Sequence, residues 1–283
     1  MSEAPKVSPS NAEGPTELRT PARRGVPFRS ALKALPFLLR NPSVIPWVLR
    51  SSFPEALLDH LIRVGEEDLG SDQTSPPSAP SPQELARWEA DRQVLRTRAG
   101  TYGGHYYLLL YRTVRRLRPR IVVETGVASG RSTALILSAF ERNGEAAHLY
   151  SADLPFQGYR TDQGRRTQNK AVLGEFAAFV PKRWRPPPEG DPKAPWTLML
   201  GDTRKTLPAL LDQLGWVDLF FHDSAHTSEV MGFEYREAWP HLPPGGALAS
   251  DDIGWNDAFP DFLRSVKVEG YQGSRFALAV KPR

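Results

Sequence analysis

The stretch Ile121–Thr133, IVVETGVASGRST, constrains this chain more than any other. β-Branched residues lead into Glu124, small residues follow at Gly126, Ala128 and Gly130, and Ser132–Phe140 is a helix-forming run. The pattern reads as strand, tight loop, helix. In an open α/β sheet such a unit aims a helix N-terminus and its free N–H groups at whatever lies above the strand ends. Small loop residues let an anionic or zwitterionic ligand approach the backbone. The spacing is G-x-x-x-G, with alanine in the middle, and not the G-x-G-x-x-G of dinucleotide-binding loops. Taken alone, the loop serves equally as a structural turn. Asp153 alters that balance, because it closes a second apolar run, His148–Ala152, and places a carboxylate where ribose hydroxyls can be bound.

With these residues in hand, the sequence resembles the class I S-adenosylmethionine-dependent methyltransferases. VVETGVASGRST is similar to their first motif, the acidic end of HLYSAD to the second and LGDTRKTLPAL to the third. VDLFFHDSAHTSEV and LPPGGALASDDI resemble the fourth and fifth, and the likeness runs from about Gly100 to the C-terminus. It implies S-adenosylmethionine as methyl donor, with Gly126, Ala128 and Gly130 forming the loop beneath its methionine part. Ser132 would meet its carboxylate at the helix N-terminus. Glu124 would hold the loop or meet the ammonium group, and Asp153 would take the ribose. Asp202 is implied near the adenine edge; capping the following helix is the alternative, and one residue can do both.

Chemistry is expected at the next two strand ends. Asp223 closes VDLFFHD, and the pair Asp251-Asp252 closes ALASDD. Three carboxylates brought together repel unless a cation or protons compensate, and hard oxygen donors suit Mg2+ or a similar divalent ion. Without the family likeness, a lone aspartate at a strand end reads as a helix cap. The interval of 28 positions from Asp223 to Asp251, followed at once by a second oxygen donor, resembles the metal triad of the catechol and macrocin-type O-methyltransferases. Catechol enzymes carry Asp-Asn at the pair; this chain has Asp-Asp, as in the sugar group. His226, three residues after Asp223, could accept the proton of a metal-bound hydroxyl. The catechol enzymes place a lysine there, whereas histidine resembles some sugar methyltransferases; a capping or supporting role is the alternative. His222 is expected to pack against the cofactor or the strand, and His60, His148 and His241 to be structural or solvated. The catechol group's later acceptor-binding carboxylate has no evident counterpart, so the expected partner is a small-molecule or sugar hydroxyl.

The alternation of elements predicts a Rossmann-like α/β fold with a mostly parallel, seven-stranded sheet. Strands are expected at Arg120–Glu124, His148–Ala152, Thr197–Leu200, Val217–His222 and Ala247–Ser250. Helices are expected at His105–Leu117, Ser132–Arg142, Thr167–Val180, Arg204–Leu214 and Ser228–Trp239. Val266–Val268 and Phe276–Lys281, around Tyr271-Gln272-Gly273, read as a closing antiparallel hairpin. Ahead of this domain (residues 99–283), residues 1–27 read as a disordered tail. Residues 28–98 read as a helical extension with a flexible loop at 71–81. Ser81-Pro82-Gln83-Glu84 is a helix start: serine cap, proline at the first position, glutamate at the third. Pro27–Arg50 mixes apolar residues with arginines and three prolines, too charged and interrupted to span a bilayer. Short helices packing on the domain or on a second copy of the chain are expected there, with an interfacial membrane anchor as the alternative. The inserts 154–166 and 181–195, with Tyr102, His105 and Tyr106, are candidates for the acceptor side.

Composition excludes little but narrows the chemistry. The chain of 283 residues has no cysteine, which removes disulfides and thiolate metal sites. No leader pattern is visible, so a cytoplasmic location is the expectation. A net charge of +4 reflects scattered arginines, and nucleic acid is not an expected partner. Two rival readings remain at this stage. One is a metal-independent methyltransferase acting on nitrogen or RNA; the other is a non-catalytic, membrane-apposed protein on the same fold.

Overall fold

The computed structural model describes residues 58–59, 62–63, 65–66, 69, 76–99, 107–128, 130–154, 180–184 and 194–283. The readings of residues 1–57, of His60, Tyr102, His105 and Tyr106, of most of the Thr167–Val180 helix and of most of both inserts lie outside these residues.

Seven strands form one sheet: β1 (Ile121–Thr125), β2 (His148–Asp153), β3 (Trp196–Leu200), β4 (Leu219–His222), β5 (Ala247–Ser250), β6 (Gly270–Gln272) and β7 (Ala277–Val280). Their spatial order is β3-β2-β1-β4-β5-β7-β6. The first five are parallel, and β7 runs antiparallel to both β5 and β6. Six helices accompany the sheet among the described residues: α1 (Pro82–Ala99), α2 (Tyr107–Leu117), α3 (Arg131–Asn143), α4 (Thr203–Leu214), α5 (Ser228–His241) and α6 (Ala258–Val266).

Strand residues alternate between two cores, as a period of two requires. Val122, Phe221 and Ala249 enter a cluster with α2 and α3, whereas Val123, Phe220 and Leu248 enter one with α4, α5 and α6. Both faces are therefore covered, which is why LFFH and ALAS are buried at every position. At α1, the Ser81 amide donates to Glu84 and the Glu84 amide to the Ser81 hydroxyl (2.8 and 3.2 Å), the reciprocal pair the sequence called for.

Two details differ from the sequence reading. Val266 ends a helix rather than opening a strand; the hairpin's first strand is Gly270–Gln272. The helix itself, α6, went unread because its length is only nine residues, although Phe259, Phe262, Leu263 and Val266 keep helical spacing. Strand β4 also starts later than expected, at Leu219, and the Asp218 carboxylate just before it accepts from the amides of Arg120 and Ile121 (2.7 and 3.0 Å). Among the described residues, no helix is long and apolar enough to cross a membrane.

Register sets the functional rim. Thr125 pairs with Ala152 and with His222, and His222 with Ser250. Gly126, Asp153, Asp223 and Asp251 therefore leave the sheet side by side. Gly126 sits at φ +87°, and a Cβ there would overlap the Asp223 carbonyl and lie 2.7 Å from Ser224 N. Gly126→Ala is expected to cost about 3 kcal/mol or more, since backbone cannot yield as a side-chain tip can. Gly144, also left-handed but with open space around it, is the comparison: Gly144→Ala should cost only about 1–2 kcal/mol. Equal shifts of the two variants in chemical denaturation would show that the rim contact adds nothing.

Candidate active site

The loop after β1 uses left-handed residues. Ala128 (φ +45°) and Gly130 (φ +78°) turn the chain, and Gly130 caps α3 without a side-chain bond. Ser132 lies buried in the first turn of α3. Asp153 holds this loop: its Oδ2 accepts from the amides of Val127 (2.9 Å) and Ala128 (2.7 Å). Burial raises its pKa, with the amides of Ala128, Val127 and Leu154 opposing. Asp202 caps α4 through the Arg204 amide and also pairs with the Arg204 guanidinium, which holds its carboxyl below the usual range. Glu124 has no exposed surface; its Oε2 accepts from Thr133 (2.7 Å) and Ser151 (2.7 Å). It thereby ties β1 to α3 and β2, the loop-holding role.

The second half of the rim gathers Asp223, His226 and Asp251. One ligating atom from each lies within 4.8 Å of the others. His226 Nδ1 stands 3.2 Å from the Ser224 carbonyl, which only accepts, so that nitrogen carries the proton. Nε2 is then a lone pair, 3.6 Å from Asp223 Oδ1 and 3.5 Å from Asp252 Oδ2. Trp255 packs edge-on against this ring, with centroids 5.1 Å apart. Burial, helped by His222 and Arg275, lowers the His226 pKa to about 3 and keeps the ring neutral.

Asp252 differs in place from Asp251 although adjacent in sequence. It is left-handed (φ +51°), starts a short turn at Ile253–Trp255 and stands outside the three-residue cluster. Both members of the pair meet Arg275, whose guanidinium lies 2.9 Å from Asp251 Oδ2 and 2.7 Å from Asp252 Oδ1. Burial pushes both carboxyls up; Asp252's charge raises Asp251 further, and Arg275 offsets this only in part. Asp251 Oδ1 is buried and has no hydrogen-bond partner in the structure. An orphaned buried carboxylate oxygen beside a second carboxylate and an imidazole lone pair fits a hard divalent cation.

Sequence reasoning missed Arg275 and Glu234. Glu234 of α5 is fully buried and accepts from Thr125 (2.5 Å), Thr203 (2.6 Å), Ser224 (2.8 Å) and His222 Nδ1 (2.7 Å). Burial would raise its pKa, but His222 and the threonine hydroxyls outweigh that and lower it. The available signal was a glutamate inside the apolar stripe Met231, Tyr235, Ala238. His222 is thus occupied by Glu234 within the core, while His148 bonds Thr197 and His241 meets the Gly215 carbonyl.

The profile of a family described as a methyltransferase domain matches residues 123–253, the span from β1 to the turn after Asp252. Residues 123–253 are a methyltransferase domain. The strand order above and the reversed β7 are the class I methyltransferase topology. No curated protein matches the sequence. Among solved structures, the methyltransferase PaMTH1 of Podospora anserina, bound to SAH, is 15% identical and covers 82% of this chain and 98% of its own, at a TM-score of 0.46. The O-methyltransferase TomG of Streptomyces achromogenes, involved in tomaymycin synthesis and solved with SAM, is 13% identical over 72% and 92%, with a TM-score of 0.43. The calicheamicin methyltransferase CalS11 is 16% identical over 81% and 93%, also at 0.43. Nothing about this chain's acceptor follows from likenesses so distant.

Glu124 gives the methyltransferase domain a measurable pH dependence. Burial raises its pKa to about 7, the hydroxyls of Ser132, Ser151 and Thr133 opposing. A raised carboxyl pKa means that the folded state keeps a proton the unfolded chain releases near pH 4.5. The stabilisation is present below that pH and is lost as pH rises toward 7. Glu124→Gln removes the ionisation but keeps an acceptor for the hydroxyls. Its Tm relative to wild type should rise between pH 4.5 and 7.5, by the equivalent of up to about 3 kcal/mol. A constant difference across that range would mean that Glu124 does not titrate there.

Proposed function

We propose that this chain is an S-adenosylmethionine-dependent O-methyltransferase acting, with a divalent cation, on a hydroxyl of a small molecule or sugar. The observation that carries the reading is the partnerless, buried Oδ1 of Asp251, a member of the Asp223–His226–Asp251 cluster at the ends of β4 and β5, of which β4 is the neighbour of β1. Oxygen acceptors are where such an ion helps, because a bound hydroxyl becomes acidic near neutral pH.

Asp223 and Asp251 would hold the ion, with Asp252 beside them. The ion would supply the Lewis acidity that lowers the hydroxyl pKa. His226 Nε2 accepts the hydroxyl proton, and Asp223 and Asp252, each about an ion-pair distance away, stabilise the imidazolium as it forms. The oxygen lone pair forms the new O–C bond while the methyl–sulfur bond breaks and its electrons return to sulfur. Positive sulfonium and negative oxygen both become neutral, so a dehydrated site favours the step. The burial of Asp251 and His226 supports that. On the donor side, the Gly126–Gly130 loop and the first turn of α3 would receive the methionine carboxylate. Asp153 would exchange loop amides for ribose hydroxyls, and Asp202 would stand at the adenine edge.

A second reading has one observation in its favour. Arg275 already meets both aspartates, so the pair is partly neutralised without an ion. Transfer would then be metal-independent and open to nitrogen acceptors.

Methyl transfer from radiolabelled S-adenosylmethionine to a panel of polyols, sugars and phenols, with and without a chelator, separates these readings. The metal-assisted one expects loss of at least 100-fold with chelator, and insensitivity overturns it. His226→Ala should lower kcat by about 100- to 10,000-fold. If Nε2 is the base, Mn2+ affinity in calorimetry stays within threefold of wild type. If it is an ion ligand, that affinity falls with the rate and the base assignment is wrong. Asp251→Asn should abolish ion binding while leaving S-adenosylhomocysteine affinity within about threefold, since the donor loop is separate.

A further inference from the structure

Arg275 is the cation the structure itself brings to the aspartates. It lies in the turn between β6 and β7, and the sheet's topology delivers it: β7 is antiparallel to β5, and its first residue, Ala277, pairs with Ser250, the last of β5. The turn just before β7 therefore arrives where Asp251 and Asp252 leave. Its position is fixed on several sides. Gly273 N donates to Phe276 O (2.9 Å), Ile253 N to the Arg275 carbonyl (3.2 Å), and the Ser274 hydroxyl to Glu89 of α1 (2.6 Å). The helix ahead of the methyltransferase domain thus braces the turn that carries the guanidinium.

Geometry divides the oxygens of the aspartate pair. Arg275 takes Asp251 Oδ2 and Asp252 Oδ1, leaving Asp251 Oδ1 buried and partnerless. Asp252, turned toward Arg275, is outside the three-residue cluster that could hold an ion. A guanidinium within 3 Å of both carboxylates repels any second cation entering beside them, and low surrounding dielectric strengthens the effect. It also compensates the pair when no ion is bound.

We infer that Arg275 is a resident counter-ion of Asp251 and Asp252 that competes with a divalent cation for Asp251, and so sets how tightly the site binds that cation. The inference rests on the metal-assisted reading above. Calorimetric titration of the full-length chain with Mn2+ alone tests it, with no turnover required. Arg275→Met should bind Mn2+ at least tenfold more tightly than wild type. Arg183→Met, which removes the same charge from an exposed pair with Glu141, should stay within twofold. Arg275→Gln serves the same purpose if the methionine variant fails to fold by circular dichroism. Equal or weaker binding in a folded Arg275 variant overturns the inference while leaving the metal reading intact. A wild type that binds no Mn2+ beside a variant that does supports the inference and removes the metal from the wild-type mechanism. Failure of both to bind overturns both.

Discussion

The close approach of Gly126 to the Asp223–Ser224 backbone is the contact on which the rim depends. It brings the loop after β1 against the end of β4 with no side chain between them. Parallel register extends the alignment: the amide of Gly126 donates to Ala152, that of Asp223 to Thr125 and that of Asp251 to His222. Each residue that leaves a strand is hydrogen-bonded to a residue at or next to the end of its neighbour. The functional side chains are consequently spaced by the sheet's own lattice, roughly 4.8 Å per strand. Side-chain chemistry then has little freedom in where it can occur.

Two buried glutamates lock that lattice to the helices. Glu124 reaches Thr133 on α3 and Ser151 on β2, and Glu234 reaches Thr125, Thr203, His222 and Ser224. A carboxylate taken from water costs several kcal/mol unless its lone pairs are filled; donors from separate elements reach both oxygens of Glu234, but only Oε2 of Glu124, whose Oε1 is buried without a partner. The difference between them is electrostatic. Glu234 has a histidine beside it and stays below the usual carboxyl range, whereas Glu124 has only hydroxyls and is raised to about 7. The β1 and β4 ends of the rim are therefore tied to the helices through polar groups of the core.

What the sequence revealed follows the range of each interaction. Strand β1, its loop and helix α3 were legible because their signals are local: β-branched run, small residues, helix-forming run. The positions of Asp223 and Asp251-Asp252 were legible because parallel strands end at a common edge. Arg275 was not, since its meeting with Asp251 depends on an antiparallel return 24 residues later, and no local pattern in Ser274-Arg275-Phe276 announces it. Glu234 carried a weak signal, a charge in a buried stripe, but its partners come from three other segments. Helix α6 was short enough for Val266–Val268 to be mistaken for a strand by its β-branched residues, and the helix end at Lys267 (φ +55°) explains why the chain turns there instead.

Charge balance is the remaining constraint. Asp223, Asp251 and Asp252 face one arginine, and His226 is held neutral, so the ionised site would carry two formal negative charges. Buried carboxyls in that condition either keep protons or take up positive charge, which is the tendency expressed in the raised pKa values of the pair. On the proposed reading, a divalent ion would supply the missing charge in one step and would leave the lone pair of His226 available. The sulfonium of a methyl donor bound at the end of β1 would add one further positive charge, and a deprotonated acceptor would add one negative. The two would vanish together as the methyl group moves, and the positive charge left behind would be the proton on His226, which has to be shed to solvent before the next turnover.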